Sequence, residues 1–273
     1  MLSKKPETLA PVLYLPHGGG PLPLLGDVNH DALVVFLEEI GTLLGEPSAI
    51  LVISAHWEED RPTITGGSHP EIIYDYYGFP AEAYKIQYAA PGHPKLANEV
   101  YELIEASGVQ ARLDERRGFD HGLFVPLKLM YPKAQIPCIQ LSLLKSLDPT
   151  AHLALGRSIA ALRKKKVLII GSGLSFHNLK AFFSQDTNKS NEGEEFDRWL
   201  VETCTHPTMS ADERERRLRE WERAPSARFC HPREEHLLPL HVCYGAACTE
   251  TPIAQLVFNQ KIMSKRVTGL LWQ

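Results

Sequence analysis

Short apolar runs that alternate with longer stretches of helical periodicity constrain the fold of this chain more than any other feature. Pro11 to Leu15 and Ala49 to Ser54 are apolar runs of the length expected for buried strands. Between them, apolar residues recur at helical spacing from Asp31 to Leu44, and Gly45 follows at the position where helices commonly end. A strand, a helix and a second strand in this order predict a βαβ unit with parallel strands.

The same alternation continues further along the chain. A helix is predicted from Pro94 to Ala106, a strand from Ile136 to Leu143, a helix from Pro149 to Leu162, and a strand from Val167 to Ile170. The sequence contains no internal repeat and no low-complexity segment. We therefore expect an α/β fold in which residues 1–273 form a single domain, with a largely parallel central sheet flanked by helices.

Two segments interrupt this alternation. Gly66 to Gly92 combines turn-forming residues with many aromatic ones, which predicts an ordered loop region near a pocket. Its aromatic residues are Tyr74, Tyr76, Tyr77, Phe79, Tyr84 and Tyr88. Gln185 to Gly193 has the composition of an exposed loop and precedes a predicted amphipathic helix from Glu194 to Cys204.

Charge and cysteine content limit the classes of partner and compartment. The formal net charge is -4, and the densest basic run, Arg163 to Lys166, is interpreted as a solvated helix end, so nucleic-acid binding is not expected. The N-terminus lacks the apolar stretch of a secretory signal, and no apolar run is long enough to span a bilayer. The cysteines are odd in number and lack C-x-x-C spacing, which favours free thiols and a cytoplasmic location. They are Cys138, Cys204, Cys230, Cys243 and Cys248.

Three histidines follow predicted strands. His17 and His56 each come just past the last apolar residue of a strand, and His177 is reached from the Val167 strand through a glycine-containing turn. A single histidine at such a position is more often an ordinary hydrogen-bonded residue than a ligand. Because the carboxyl ends of parallel strands meet at one edge of a sheet, three histidines at such positions predict a shared metal site there.

Further histidines lie in two loop motifs. His231 and His236 would be about 140° apart on a regular helix, so one of them is expected to be a ligand and hardly both. Pro239 places His236 in a turn before a helix that runs through His241, although the same segment is also typical of a charged helix start. In the other motif, Asp120 either orients the imidazole of His121 or merely caps the following helix.

Several motifs fit other chemistries poorly. Gly18-Gly19-Gly20 lacks the following G-K-[ST] of a phosphate loop and is better explained by close backbone approach to a metal or substrate. The H-x-E sequence at His56 lacks the paired cysteines of a zinc deaminase, since Cys138 stands alone. Ser172 does not match the G-x-S-x-G nucleophile elbow of hydrolases.

Six ordered motifs resemble one family, the 4,5-DOPA extradiol dioxygenases within the class III extradiol dioxygenases. They are Leu-Pro-His-Gly-Gly-Gly-Pro (15–21), Ile-Ser-Ala-His-Trp-Glu (53–58), Tyr-Asp-Tyr-Tyr-Gly-Phe-Pro (74–80), Gly-Phe-Asp-His-Gly (118–122), Gly-Ser-Gly-Leu-Ser-Phe-His-Asn-Leu (171–179) and His-Pro-Arg-Glu-Glu-His-Leu-Leu-Pro-Leu (231–240). The likeness extends over nearly the whole chain. It implies a single α/β domain with a non-haem Fe(II) site that cleaves the ring of a catechol with dioxygen.

The resemblance also assigns roles by position. It implies that His17, His56 and His236 bind the metal, that His177 is the catalytic acid and base, and that His121 belongs to the catalytic pocket. The broader class usually has a carboxylate as third ligand, and Glu235 is the alternative to His236 here. A site of three histidines suits Zn(II) as well as Fe(II).

Two other functions remain open from the sequence. One is a zinc-dependent hydrolase that uses the same histidines, and the other is a non-catalytic binding protein with the same fold. The substrate is also open, because Lys85, Arg117 and Arg233 are all candidates to reach a substrate carboxylate. The sequence does not indicate an oligomeric state.

Overall fold

One sheet of eight strands organises the computed structural model, which describes residues 9–182, 192–247 and 252–273. The strand order is β4-β3-β5-β2-β6-β1-β8-β7. The strands described are β1 (Val12–Pro16), β2 (Ala49–Glu59), β3 (Thr63–Thr65), β4 (Arg112–Asp114), β5 (Cys138–Leu144), β6 (Val167–Gly173), β7 (Gln255–Ile262) and β8 (Lys265–Trp272).

The middle of the sheet is parallel, and one antiparallel pair joins it to the remaining strands on each side. Strands β5, β2, β6 and β1 pair in parallel, so β6 lies between the two strands of the first βαβ unit. β8 pairs with β1 in the antiparallel sense, and so does β3 with β5. Every residue of β1 and β6 is buried, as expected for strands that are covered on both faces. The prediction of an α/β fold with a largely parallel sheet is confirmed.

Helices cover both faces of the sheet. The helices described are α1 (Asp31–Leu44), α2 (Pro94–Ala106), α3 (His121–Met130), α4 (Pro149–Ile159), α5 (Leu179–Phe182), α6 (Glu192–Thr205), α7 (Ala211–Arg219), α8 (Ala227–Cys230) and α9 (Leu238–Ala246). Successive residues of β6 show the two layers, since Gly171 lies against Pro239 of α9 whereas the Ser172 hydroxyl contacts Gly122 of α3. None of the helices in the described ranges is long and apolar enough to cross a membrane.

Most predicted elements are found, with changes at their ends. The helices predicted at 31–44 and 94–106 have those bounds. The helix predicted at 149–162 ends at Ile159 and continues as a 3-10 helix to Lys165. Most of the loop predicted at 185–193 lies outside the described residues, as does Cys248, and the helix after it runs from Glu192 to Thr205.

The interpretation of Arg163 as part of a solvated helix end is wrong. Its side chain is buried, where Nε donates a hydrogen bond to the Ala10 carbonyl oxygen at 2.7 Å and Nη1 donates one to that of Ala247 at 3.3 Å. A buried guanidinium is tolerated when carbonyl oxygens accept its hydrogen bonds. The exposed part of the run consists of Lys164, Lys165 and Lys166.

Candidate active site

Five histidines line one cavity of about 860 Å³ beyond the carboxyl ends of β1, β2 and β6. They are His17, His56, His121, His177 and His236. Ligand sites in open α/β sheets form at this edge, where strand order reverses. The structure therefore brings together all five histidines that the sequence singled out as metal-binding or catalytic.

Two of these histidines are positioned by parallel strands that lie on either side of β6. His17 directly follows β1, as predicted. His56 does not follow β2, because β2 continues to Glu59 and His56 lies inside it. The register with β5 shifts between Ile53 and Glu58, so the intervening residues bulge away from the regular ladder. His56 therefore lies in the irregular part of the strand, and it lines the cavity.

His236 and His177 are fixed by backbone hydrogen bonds. His236 lies in the turn before α9, and Pro239 occupies the first turn of that helix, as predicted. The His236 carbonyl oxygen accepts hydrogen bonds from the Tyr14 hydroxyl and the Leu174 backbone amide, each at 3.1 Å. The backbone amide of His177 donates to the Cys230 carbonyl oxygen at 2.9 Å.

His17 and His56 approach each other through the same ring nitrogen. Their Nε2 atoms are 3.1 Å apart. Ser172 Oγ donates to the Gly122 carbonyl oxygen at 2.5 Å and therefore accepts from His17 Nδ1 at 3.0 Å, which leaves the Nε2 lone pair of His17 unprotonated. Two nitrogens that each lie about 2.1 Å from one ion, at a right angle, would be about 3.0 Å apart. The observed separation thus fits two ligands of a single metal ion.

His236 and His177 share one carboxylate. Glu235 Oε1 lies 2.9 Å from Nδ1 of His236 and 3.0 Å from Nδ1 of His177. The two imidazole rings are stacked, with centroids 3.4 Å apart. Because Glu235 accepts from both Nδ1 atoms, both rings keep Nε2 for a metal or substrate.

Asp75 was not identified as a site residue from the sequence, although it lies in the 74–80 motif. Its Oδ1 accepts hydrogen bonds from Nδ1 of His121 at 2.9 Å and from the backbone amide of His121 at 3.0 Å. Its Oδ2 lies 3.8 Å from Nδ1 of His56. Asp120 occupies the N-cap position of α3, as one of its two alternatives predicted, but its side chain makes no capping hydrogen bond. The side chain contacts Ser54 and Arg117 and not the imidazole, so the alternative that it orients His121 is wrong.

Three groups of ligand atoms within the described residues have the spacing for a metal ion, and His17, His56 and His236 form one of them. The other two are His56 with Asp75 and His121, and His177 with Glu235 and His236. His231 belongs to none of them. It is fully buried, and its Nε2 lies 2.9 Å from the Ser175 carbonyl oxygen, so the structure brings only His236 of that pair to the cavity.

Burial keeps the candidate ligands neutral. It lowers the pKa of His17, His56 and His236 well below the ordinary value, and the neighbouring histidines add to this effect. Burial opposes ionisation of Asp75 and Glu235 as well, but hydrogen bonds from His121 and His177 outweigh it and lower both pKa values. Neutral imidazoles flanked by carboxylates are the form that binds a divalent ion.

The three glycines after His17 form one edge of the cavity. Gly18 has φ +86°, and a Cβ atom there would lie 2.6 Å from the Pro23 ring. The Gly19 backbone amide donates to His30 Nε2 at 3.0 Å, and His30 Nδ1 donates to Asp27 at 2.7 Å. Gly19 and Gly20 both line the cavity, so their backbone borders the space that a ligand would occupy.

Comparison with known proteins gives a consistent result. The sequence model of the family described as "Catalytic LigB subunit of aromatic ring-opening dioxygenase" matches residues 20–270. The chain is 41% identical over 260 residues to the "Dioxygenase tasH" of Hapsidospora irregularis, covering 90% of this chain and 80% of that protein. It is 42% identical over 221 residues to the "4,5-DOPA dioxygenase extradiol" of Beta vulgaris, covering 78% of each.

A solved structure is similar as well. The crystal structure of the uncharacterized protein JW3007 from Escherichia coli K12 superimposes with a TM-score of 0.74 at 26% sequence identity, covering 97% of this chain and 100% of that one. The similarity therefore extends over the whole fold and includes the sheet edge at which the histidines converge.

Proposed function

This chain belongs to the LigB family of aromatic ring-opening dioxygenases, and we propose that it is a metal-dependent extradiol enzyme with a three-histidine metal site. The observation that carries the proposal is the 3.1 Å approach of the Nε2 atoms of His17 and His56, with His236 in the same group of ligand atoms. In the reaction, both atoms of dioxygen enter a catechol, and the ring opens beside one hydroxyl to give a semialdehyde.

We propose Fe(II) as the active metal, held by His17, His56 and His236. Three protein ligands leave positions open for substrate, and the set of neutral imidazoles accepts Fe(II) or Zn(II). A bound Fe(II) would supply the electron exchange with dioxygen that Zn(II), which has no redox chemistry, does not supply. Zn(II) is therefore proposed as an ion that binds the site without supporting turnover.

We propose His177 as the residue that takes and returns a proton. Glu235 accepts from its Nδ1 at 3.0 Å, which leaves Nε2 to receive the proton of a catechol hydroxyl. The same carboxylate stabilises the imidazolium that results, as the buried acid does in a catalytic triad. Since His177 is stacked on His236, its ring is held close to the proposed metal ligands.

We propose that His121 is the second catalytic histidine and that Asp75 positions it. Two hydrogen bonds to Asp75 fix the backbone and the ring of His121, so its Nε2 is available to a substrate oxygen. The His121 ring lies 3.9 Å from that of His56, centroid to centroid, which places it beside the proposed metal ligands. Tyr76 lines the same cavity, with its ring 5.8 Å from that of His121, and would contact the substrate ring.

We also propose that the whole chain, residues 1–273, acts as one catalytic domain in the cytoplasm. Strands from the two ends of the chain, β1 and β8, are neighbours in the sheet, which supports one folding unit. Cys138, Cys204 and Cys243 are buried free thiols, as is usual in a reducing compartment. The proposed partners are dioxygen and a small catechol, a class that includes DOPA and caffeate-like compounds as well as catechols without a charged substituent, with no nucleic acid or membrane.

Reconstitution with each metal tests the proposal. Metal-free protein loaded anaerobically with Fe(II) should consume one dioxygen per catechol, and a yellow product should form. Protein loaded with Zn(II) should bind one ion and consume none. Activity that requires zinc and no dioxygen would instead support a hydrolase, and the absence of turnover across a panel of catechols would support a binding protein.

A variant tests the role of His177. His177→Ala should abolish turnover while the protein still binds one Fe(II), because the three proposed ligands are unchanged. His69→Ala is the matched control, since His69 is exposed and does not line the cavity. Unchanged turnover in His177→Ala would remove this residue from the mechanism.

A further inference from the structure

The cavity is much larger than the ring that has to be cleaved. Benzene fits into an engineered cavity of roughly 150 Å³, whereas this cavity measures about 860 Å³. Because the histidines gather at the sheet edge, the catechol oxygens belong at that end. The remaining space is available to a substituent on the ring.

Apolar side chains border this space next to the three glycines. A Cβ atom on Gly19 would lie 3.3 Å from Leu22 Cδ1 and 3.4 Å from Met263 Sδ, and one on Gly20 would lie 3.1 Å from the Phe79 ring. Leu22, Phe79 and Met263 therefore lie directly against the segment that follows His17, and all three line the cavity. We refer to these three residues as the apolar subsite.

Met263 reaches the cavity from an unfavourable backbone position. It forms the tip of the β7–β8 hairpin with Ser264, and their φ angles are 48° and 71°. Two-residue hairpin turns with positive φ at both positions favour Asn-Gly, because a Cβ atom is disfavoured there. Strained backbone of this kind concentrates at functional sites. A methionine at this tip is explained if its side chain serves the cavity.

The charges that line the cavity are already paired. Arg233 is the one lysine or arginine among the cavity-lining residues in the described part of the chain. It forms two hydrogen bonds of 2.6 Å with Glu58 and one of 3.4 Å with Glu235. Of the other candidates for a substrate carboxylate, Lys85 does not line the cavity, and Arg117 pairs with Asp120 at 3.1 Å.

The carboxylates of the cavity have partners as well. Glu58 binds Arg233, Asp75 binds His121, and Glu235 binds His177 and His236. A charged substituent would thus compete with these existing partners and lose part of its own hydration. An uncharged substituent disturbs none of these pairs and can pack on the apolar subsite.

We propose that the outer part of the cavity binds an uncharged, apolar substituent on the catechol ring, and that Leu22, Phe79 and Met263 select for it. The substituent would stand on the side of the ring away from the two hydroxyls. This inference rests on the proposed function, because the position of the catechol oxygens at the histidines directs the substituent outward.

Anaerobic binding to the Fe(II)-loaded protein tests the proposal without requiring turnover. Calorimetry with catechol, 4-methylcatechol, 4-ethylcatechol and 4-propylcatechol should show affinity rising up to about fourfold with each added carbon. The analogues of similar length with a charged end, dopamine and dihydrocaffeate, should each bind at least tenfold more weakly than 4-propylcatechol. The values of kcat/KM should follow the same order.

Variants of Met263 test whether the apolar subsite causes the gain in affinity with each added carbon. In Met263→Ala the gain per carbon should shrink to less than twofold, while the affinity for unsubstituted catechol stays within twofold of the parent. Met263→Gln retains the length of the side chain and should reduce the gain in the same way if the alanine variant folds poorly. Leu256→Ala is the control, because Leu256 is an exposed apolar residue of the same hairpin outside the cavity.

The outcomes separate the two proposals. Affinity that is independent of chain length, or tighter binding of dopamine or dihydrocaffeate than of 4-propylcatechol, would overturn the apolar subsite even if catechol is cleaved. Chain-length-dependent binding that Met263→Ala abolishes would support the subsite even if the loaded protein consumes no dioxygen, a result that would reject the proposed function alone.

Discussion

Buried histidines occur in two kinds of surroundings in this protein. Outside the cavity, His152 has both ring nitrogens bound to the backbone, because Nδ1 donates to the Asp148 carbonyl oxygen at 2.7 Å and Nε2 accepts from the Leu144 amide at 3.1 Å. Inside the cavity, His17 is equally buried but uses only Nδ1 on Ser172, and its Nε2 faces another imidazole. Burial of a histidine therefore does not identify a metal ligand, whereas convergence of ring nitrogens from several histidines does.

The largest expected effect comes from removing a converging nitrogen. His17→Ala should lower kcat/KM at least about 1000-fold, which corresponds to about 4 kcal/mol, because the Fe(II) site loses one of its three proposed ligands. The free energy of unfolding of the metal-free protein should fall by less than about 2 kcal/mol, because the space left by the side chain opens into the existing cavity and does not form a new void. Metal analysis, oxygen uptake and urea unfolding measure these quantities. Full metal occupancy in His17→Ala would contradict the proposed ligand set.

Removing a buried histidine outside the cavity should reduce stability and leave metal binding and activity unchanged. His152→Ala should lower the free energy of unfolding by about 2–4 kcal/mol, since it leaves a void in the core and removes the acceptor of the Leu144 backbone amide. Its metal content and its activity per folded molecule should equal those of the parent. Loss of metal in this variant at a temperature where it is folded would show that the two kinds of histidine are not distinct.

The strand-end histidines could be predicted because they depend on local pattern and on one rule of sheet geometry. Apolar runs located β1, β2 and β6, and parallel pairing then placed His17, His56 and His177 at one edge. His236 came from the resemblance to a family, since it lies in a turn that no periodicity marks. Its position depends on hydrogen bonds from Tyr14 and Leu174, which are distant in the chain.

The residues that orient the histidines could not be predicted in the same way. Asp75 and His121 are 46 residues apart, and their contact exists only after the loop has packed on α3. The sequence suggested Asp120 as a partner of the His121 imidazole because the two residues are adjacent. At the start of a helix, however, adjacent residues do not necessarily bring their side chains into contact. The register shift in β2 around His56 was not predictable from the sequence either, because such irregularities depend on pairing with a partner strand.

Loss of a residue that orients a metal ligand should reduce metal affinity less than loss of the ligand itself, but the reduction should be measurable. Ser172→Ala removes the acceptor that fixes the tautomer of His17, and loss of such outer partners typically weakens metal affinity about 10–100-fold. Chelator competition with the Fe(II)-loaded or Zn(II)-loaded protein measures this change. Ser158→Ala is the control, because that hydroxyl bonds a helix carbonyl far from the cavity. Equal affinities in the two variants would mean that His17 needs no fixed tautomer.

A further difference between the two kinds of histidine concerns protonation outside the cavity. Burial lowers the pKa of His241 to about 4, against the opposing influence of the Leu218 and Leu237 carbonyl oxygens. The folded state therefore binds this proton less readily than the unfolded chain, whose histidine pKa is about 6.5. Stability should be full above pH 6.5 and fall by about 1.4 kcal/mol per pH unit between pH 6.5 and about 4.

Urea unfolding of metal-free protein at pH 7.5, 6.0 and 5.0 measures this dependence. The cavity histidines contribute equally to the parent and to His241→Gln, so the parent should lose stability more steeply than the variant as the pH falls. Parallel curves would show that His241 is not held neutral by burial.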